Sequence, residues 1–162
     1  DLDMSQSEGR DLNKILEDEP LRFGYLDYIP TLIPVDGYVT QKMVENQKSE
    51  DRLHFGIDIA VPLGESVKAS GGGQVVFAGM TTELGNLVVI YHGNNYFTYY
   101  GHNEKLKVEQ YQYVNRGDLI ATTGSSGKSS GPHLHFEIWK EGKAVDPLLY
   151  FPELNKTNMS VD

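Results

Sequence analysis

Cysteine is absent from this sequence, so neither a disulfide nor a thiolate metal ligand is available. Any metal must then sit on His, Asp and Glu. The absence does not choose a compartment, since exported and cytosolic proteins alike do without cysteine. No apolar run approaches the roughly 18 residues that cross a bilayer, and Asp1 opens the stretch with neither a basic segment nor an apolar one behind it. The expectation is that any export signal or anchor lies outside this stretch. Basic residues are scarce too: 14 Lys and Arg against 23 Asp and Glu leave a net charge of -9. They are scattered, which argues against the clustered basic footprint that nucleic acid requires. Sequence repeats, heptads and low-complexity tracts are missing, and so is the HExxH helix of the helical zinc proteases.

What is present reads as one β domain. The 162 residues are enough for a single core, and 39% hydrophobic with 23% charged residues is ordinary for a folded soluble protein. Seventeen glycines and ten tyrosines lean towards turns and strands. Residues 1–33 are acidic, are interrupted by Pro20 and Pro30, and allow at most a short helix from Asp11 to Glu19. They read as a linker or pro-segment, residues 34–152 as the domain, and 153–162 as a polar tail. From Val35 short β-rich runs alternate with turn residues, the pattern of a sandwich or barrel rather than of βαβ units. The expected strands are 35–40, 56–61, 66–70, 73–79, 86–92, 95–102, 117–124 and 133–140. Gly93, Asn94 and Asn95 separate two of them and tolerate the positive φ of a tight hairpin, so the sheet there is antiparallel.

Five histidines remain to carry chemistry. His133 and His135, in GPHLHFEIW, share one strand face about 6 to 7 Å apart, though an isolated HxH is equally an ordinary pair of sheet residues. His54 and Asp58 in HFGID would lie roughly 13 Å apart on a straight strand, too far to share a zinc ion with bonds of about 2.1 Å. Gly56 permits the bend that would close that gap. His102 ends an aromatic strand after Gly101, and His92 reads as structural or as part of the site rim. Two imidazoles and a carboxylate form a ligand set typical of catalytic zinc, leaving two further histidines as acid, base or oxyanion groups. Tyr96, Tyr99 and Tyr100 read as sheet or core residues and Glu137 as a hydrogen-bonding support.

The motifs HFGID, YGH and GKSSGPHLHFE, with PLGESVKA, GQVVFAG and VDP between or after them, resemble the lysostaphin-type, LytM-like (β-lytic) zinc endopeptidases. These cut peptide bonds in bacterial peptidoglycan. The resemblance runs from about Pro34 to Pro147. It implies a compact antiparallel all-β fold of the duplicated hybrid motif type, with an open groove and a short irregular N-terminal segment. It implies one Zn2+ ion on His54, Asp58 and His135, and His102 and His133 beside the metal-activated water. It further implies peptidoglycan peptides as substrate, an extracytoplasmic bacterial location, and envelope proteins as partners through sequence outside this stretch. Two departures bear on the groove wall: VTQKMVENQKSEDRLH lacks the Phe-Gly-x-Arg segment frequent in the family, and Asn103 stands where Leu usually follows the histidine of YGH.

Three readings follow. The first is an active peptidase, with histidines taking over the work of the absent HExxH glutamate and the loop GSSGKSSGP offering backbone donors and hydroxyls to substrate amides. The second is a non-hydrolytic module of the same fold that activates another cell-wall hydrolase, a role some relatives fill after losing ligands. In a variant of the first, the carboxylates Glu17, Asp18, Glu19 and Asp27 cover the site. The third, a cupin-type oxygenase, fits Gly127 before His133-Leu134-His135 but fails on spacing, because Glu137 follows after a single residue.

Overall fold

The structure, a computed structural model, describes residues 25–44 and 54–154. The expected helix at Asp11 to Glu19, the carboxylates Glu17, Asp18 and Glu19, and most of the tail lie outside these residues. Eleven strands are described: β1 (Tyr38–Gln41), β2 (Ile57–Ala60), β3 (Ser66–Lys68), β4 (Gly73–Thr81), β5 (Gly85–Gly93), β6 (Tyr96–Asn103), β7 (Lys105–Leu106), β8 (Tyr113–Val114), β9 (Leu119–Thr122), β10 (His133–Lys140) and β11 (Lys143–Val145). The larger sheet runs β1-β2-β10-β6-β5-β4-β8 with β11 added to β10, and β3-β9-β7 form a smaller one. The pairings are antiparallel. The all-β antiparallel expectation therefore holds.

Period-two alternation explains how the larger sheet divides its faces. Along β10, Leu134, Phe136 and Ile138 are fully buried, while His133, His135, Glu137 and Trp139 occupy the opposite face. In β2, Ile57 and Ile59 face the same core and Asp58 the other side. The core joins these to Val75, Val88, Ile90 and Tyr100 of the larger sheet and to Val67, Ile120 and Ala121 of the smaller. Each fully buried aliphatic or Phe side chain contributes about 1.5–3 kcal/mol over leaving it in water. Any slip of β10 by one residue would expose this apolar row, so the register is strongly held.

The hairpin after β5 forms as its sequence indicates, with Gly93, Asn94 and Asn95 all at positive φ. Other strands are shorter than expected. The 66–70 run stops at Lys68 because the next residues bond elsewhere: Ala69 N–H donates to Asp118 O, and Ser70 O accepts from Thr31 N and Leu32 N. The described part of the N-terminal segment is thus docked on the body. It begins with a 3₁₀ turn at Tyr25–Tyr28, buries Tyr28, and anchors Asp27, whose carbonyl accepts from Gly72 N–H and whose carboxylate pairs with Arg116 at 3.1 Å.

Behind the hairpin, His92 is buried within β5 and takes part in a polar chain. Its Nδ1 lies 2.7 Å from Gly72 O and its Nε2 2.7 Å from Thr98 Oγ1. Thr98 Oγ1 is 2.7 Å from the Tyr100 hydroxyl, which accepts from Ser70 N–H at 2.9 Å. A carbonyl only accepts, so Nδ1 must carry the imidazole hydrogen, leaving Nε2 to receive the Thr98 hydroxyl and Thr98 to receive that of Tyr100. His92 is accordingly a structural residue.

Candidate metal centre

The register between β2 and β10 places Asp58 directly opposite His135. Side chains so paired share a face with Cβ atoms about 5 Å apart, and here His135 Nδ1 reaches Asp58 Oδ1 at 2.8 Å. His54 lies just before β2, in an isolated bridge to Val44. Gly56, between them, sits at φ +95°, and a Cβ there would collide with the carbonyl oxygen of Phe136. Only glycine both turns the chain this way and lets it pass so near β10. The bend carries His54 Nε2 to 3.3 Å from Asp58 Oδ1, closing the gap a straight strand would leave.

One ligand atom from each of His54, Asp58 and His135 falls within 4.8 Å of the other two. A tetrahedral zinc ion with bonds near 2.1 Å separates its ligand atoms by about 3.4 Å, so this donor set fits one zinc ion after small side-chain shifts. The second nitrogens support the fit. His54 Nδ1 is 3.2 Å from Lys42 O, which fixes its hydrogen there and frees Nε2. His135 Nε2 is 2.7 Å from Glu137 Oε2, so its other nitrogen is the one turned to the centre. Glu137 is in turn held by the indole Nε1–H of Trp139 at 2.6 Å. A carboxylate behind a ligating imidazole orients the ring and raises its basicity.

Electrostatics agree with a centre built for a cation. Burial acts to raise the Asp58 pKa, but hydrogen bonds and charge from His135 and His54 outweigh it and hold the carboxyl well below its usual range. Burial likewise acts against charge on His135, yet its bonds to Asp58 and Glu137 prevail and push its pKa up to about 9. The same two carboxylates that favour a proton on this ring would favour a metal ion in its place.

The remaining two histidines stand beside this set. His133 Nε2 is 3.7 Å from Asp58 Oδ1, and the ring centres of His102 and His133 are 4.6 Å apart. His102 Nδ1 lies 2.6 Å from Ser126 O, and His133 Nδ1 lies 2.9 Å from Gly131 O. Burial lowers the His102 pKa; the bond to Ser126 opposes this, while His133 and His135 add to it. All five residues singled out in the sequence come together, and His92 stays apart in its own chain.

Sequence reasoning missed the carbonyls of Lys42, Ser126 and Gly131, because a backbone partner leaves no mark on residue identity. The support expected of Glu137 is present, whereas the part of Trp139 in holding it was not anticipated. Asn103, at the position of the usual Leu, is buried, and its amide donates to Tyr100 O at 2.7 Å and Asn86 O at 2.9 Å. It brackets the strand end that carries His102.

An antiparallel sheet presenting two histidines and an aspartate from one face, with two more histidines alongside, defines a lysostaphin-like, LytM-like protein. Comparisons place it further. The sequence profile of peptidase family M23 matches residues 52–147. The murein hydrolase activator NlpD of Salmonella dublin is 42% identical over 121 residues, covering 74% of this chain and 31% of that protein. The peptidoglycan DD-endopeptidase ShyA of Vibrio cholerae is 43% identical over 95 residues, covering 59% and 22% respectively. A zinc-containing peptidase from Vibrio cholerae is similar in structure, with a TM-score of 0.65 and 36% identity over 70% of this chain and 37% of that one. The chain belongs to peptidase family M23. It spans about a third or less of the length of these two curated relatives.

Proposed function

We propose that this chain is a zinc-dependent endopeptidase that hydrolyses peptide bonds in bacterial peptidoglycan, and so works outside the cytoplasm. The observation that carries this reading is the convergence of His54 Nε2 and His135 Nδ1 on Asp58 Oδ1, at 3.3 and 2.8 Å, with His102 and His133 beside them. His54, Asp58 and His135 would hold the ion. When bound, zinc supplies a Lewis acid that polarises the scissile carbonyl and lowers the pKa of water at the site.

The chain's own residues then handle protons. His102, whose pKa burial lowers, takes the proton of the attacking water on Nε2, since Nδ1 is committed to Ser126 O. As the carbon–nitrogen bond breaks, the leaving amine must gain a proton. The proton taken up by His102 is the one returned to that amine, while His133, once it has gained a proton on Nε2, stabilises the oxyanion. Glu137 and Trp139 keep the His135 ring in place throughout.

A second reading has an observation of its own. NlpD, with 42% identity, is named for activating murein hydrolases, and a module of this fold can act by binding a hydrolase instead of cutting peptide. The complete ligand set favours catalysis. Digestion of purified peptidoglycan carrying direct or glycine-bridged cross-links, followed by mass spectrometry of the fragments, tests the first reading. Chelator-sensitive release of peptides is expected. Intact material after incubation with the zinc-loaded protein, together with stimulation of an added hydrolase, would transfer the assignment to the second.

A further inference from the structure

The loop from Gly124 to Gly131 is expected from sequence to offer its hydroxyls to a substrate. In the structure the hydroxyls of Ser125, Ser126 and Ser129 are engaged within the protein, and their partners converge on two rings. Ser126 Oγ donates to Asn103 O and accepts from Asn86 N–H at 3.0 Å, tying the loop to both β5 and the end of β6. With the side chain so fixed, Ser126 O receives His102 Nδ1 at 2.6 Å and Ser126 N–H donates to His102 O at 3.4 Å. His102 is gripped from the other side as well, its N–H donating to Leu84 O at 2.6 Å. This grip holds it at φ +64°, a left-handed conformation that a histidine seldom adopts unless its surroundings impose it.

Ser129 does the corresponding work for the other ring. Its hydroxyl donates to Gly131 O at 2.7 Å and accepts from Ser125 Oγ at 3.1 Å and Gly131 N–H at 3.4 Å. Gly131 O thereby stands 2.9 Å from His133 Nδ1, with Ser129 Oγ itself at 3.2 Å. Both carbonyls can only accept, so each ring must carry a hydrogen on Nδ1, and in its neutral form leaves Nε2 bare.

We propose that this serine loop sets the tautomers of the two site histidines, with Ser126 the positioning residue for His102 and Ser129 for His133. Neither serine needs to touch substrate. An imidazole of the wrong tautomer presents an N–H where a lone pair is required, so the loop decides whether the rings can accept a proton at all. The consequence for turnover rests on the peptidase reading; the tautomer assignment does not.

Long-range proton–nitrogen NMR of the histidine rings tests the assignment on the zinc-supplemented chain. Wild type should show His102 and His133 protonated on Nδ1. Ser126→Ala should shift His102 towards a mixture while leaving His133 unchanged, Ser129→Ala should do the reverse, and Ser126→Thr and Ser129→Thr should restore each ring. Zinc content should remain one ion per chain in all four. In the peptidase assay each alanine variant should lose roughly tenfold in kcat with little change in KM. Nε2-protonated rings in the wild type, or alanine variants with unchanged ring signals, would overturn the proposal. Correct ring signals in a protein that cleaves nothing would leave it standing and remove the peptidase reading instead.

Discussion

His135 and Asp58 face each other in register across β10 and β2, Nδ1 to Oδ1 at 2.8 Å, and that pairing is the base on which the centre is assembled. Replacing His135 with Ala removes one of the three proposed ligands and leaves Asp58 without its nearest partner. His135→Ala should therefore abolish stoichiometric zinc binding and peptide cleavage together. Metal analysis of the purified variant after dialysis checks this.

Glu137 holds the far side of the same ring at 2.7 Å and is itself held by Trp139. The imidazole is held by Oε2 and the indole by Oε1, so in Glu137→Gln one of these donors meets an NH2 group and loses its acceptor. Removal of such a supporting carboxylate weakens metal binding by about 10- to 100-fold. Competition titration with a chromogenic chelator measures that loss. Because Trp139 is the chain's single tryptophan, its fluorescence should also change as zinc is added to wild type, and less so in the variant.

The sequence made some of this legible and hid the rest. Strand β10 announced itself because Leu134, Phe136 and Ile138 alternate with His133, His135 and Glu137, and the Gly93 hairpin because its residues accept positive φ. The role of Gly56 could be inferred from distance alone, since His54 and Asp58 cannot meet on a straight strand. Cross-strand register could not: nothing in HFGID states that Asp58 will stand opposite His135. Strands of two or three residues, such as β7, β8 and β11, are too short to show a period. His92 reads from sequence as structural or as part of the site rim, and its burial with bonds to Gly72 and Thr98 decides for structure.

Gly56→Ala tests the bend directly. The substitution forces a side chain onto a left-handed backbone and against the Phe136 carbonyl, a strain of about 2 kcal/mol or more. Urea denaturation should show that loss, and zinc affinity should fall with it because His54 can no longer reach Asp58. An alanine variant of wild-type stability with full zinc binding would contradict the geometry.

His92 gives a stability dependence on pH with a definite sign. Burial depresses its pKa to about 4, despite the opposing bond to Gly72, whereas in the unfolded chain it titrates near 6.5. Between these values the unfolded state binds a proton that the folded state refuses, so stability is complete above about 6.5 and falls as pH drops towards 4. The total loss is about 3 kcal/mol. Denaturation midpoints measured from pH 7 to 4 should slope more steeply for wild type than for His92→Gln, since the other titrating groups are common to both.

Hydrolysis at this centre is tested by comparing wild type with His102→Ala on the same peptidoglycan, both loaded with one zinc ion per chain. Wild type should release peptide fragments at a rate that a chelator abolishes, and His102→Ala should keep its zinc while losing most turnover, on the order of 100-fold or more. Equal cleavage by the two proteins would remove His102 from the chemistry. No cleavage by zinc-loaded wild type would contradict hydrolysis itself.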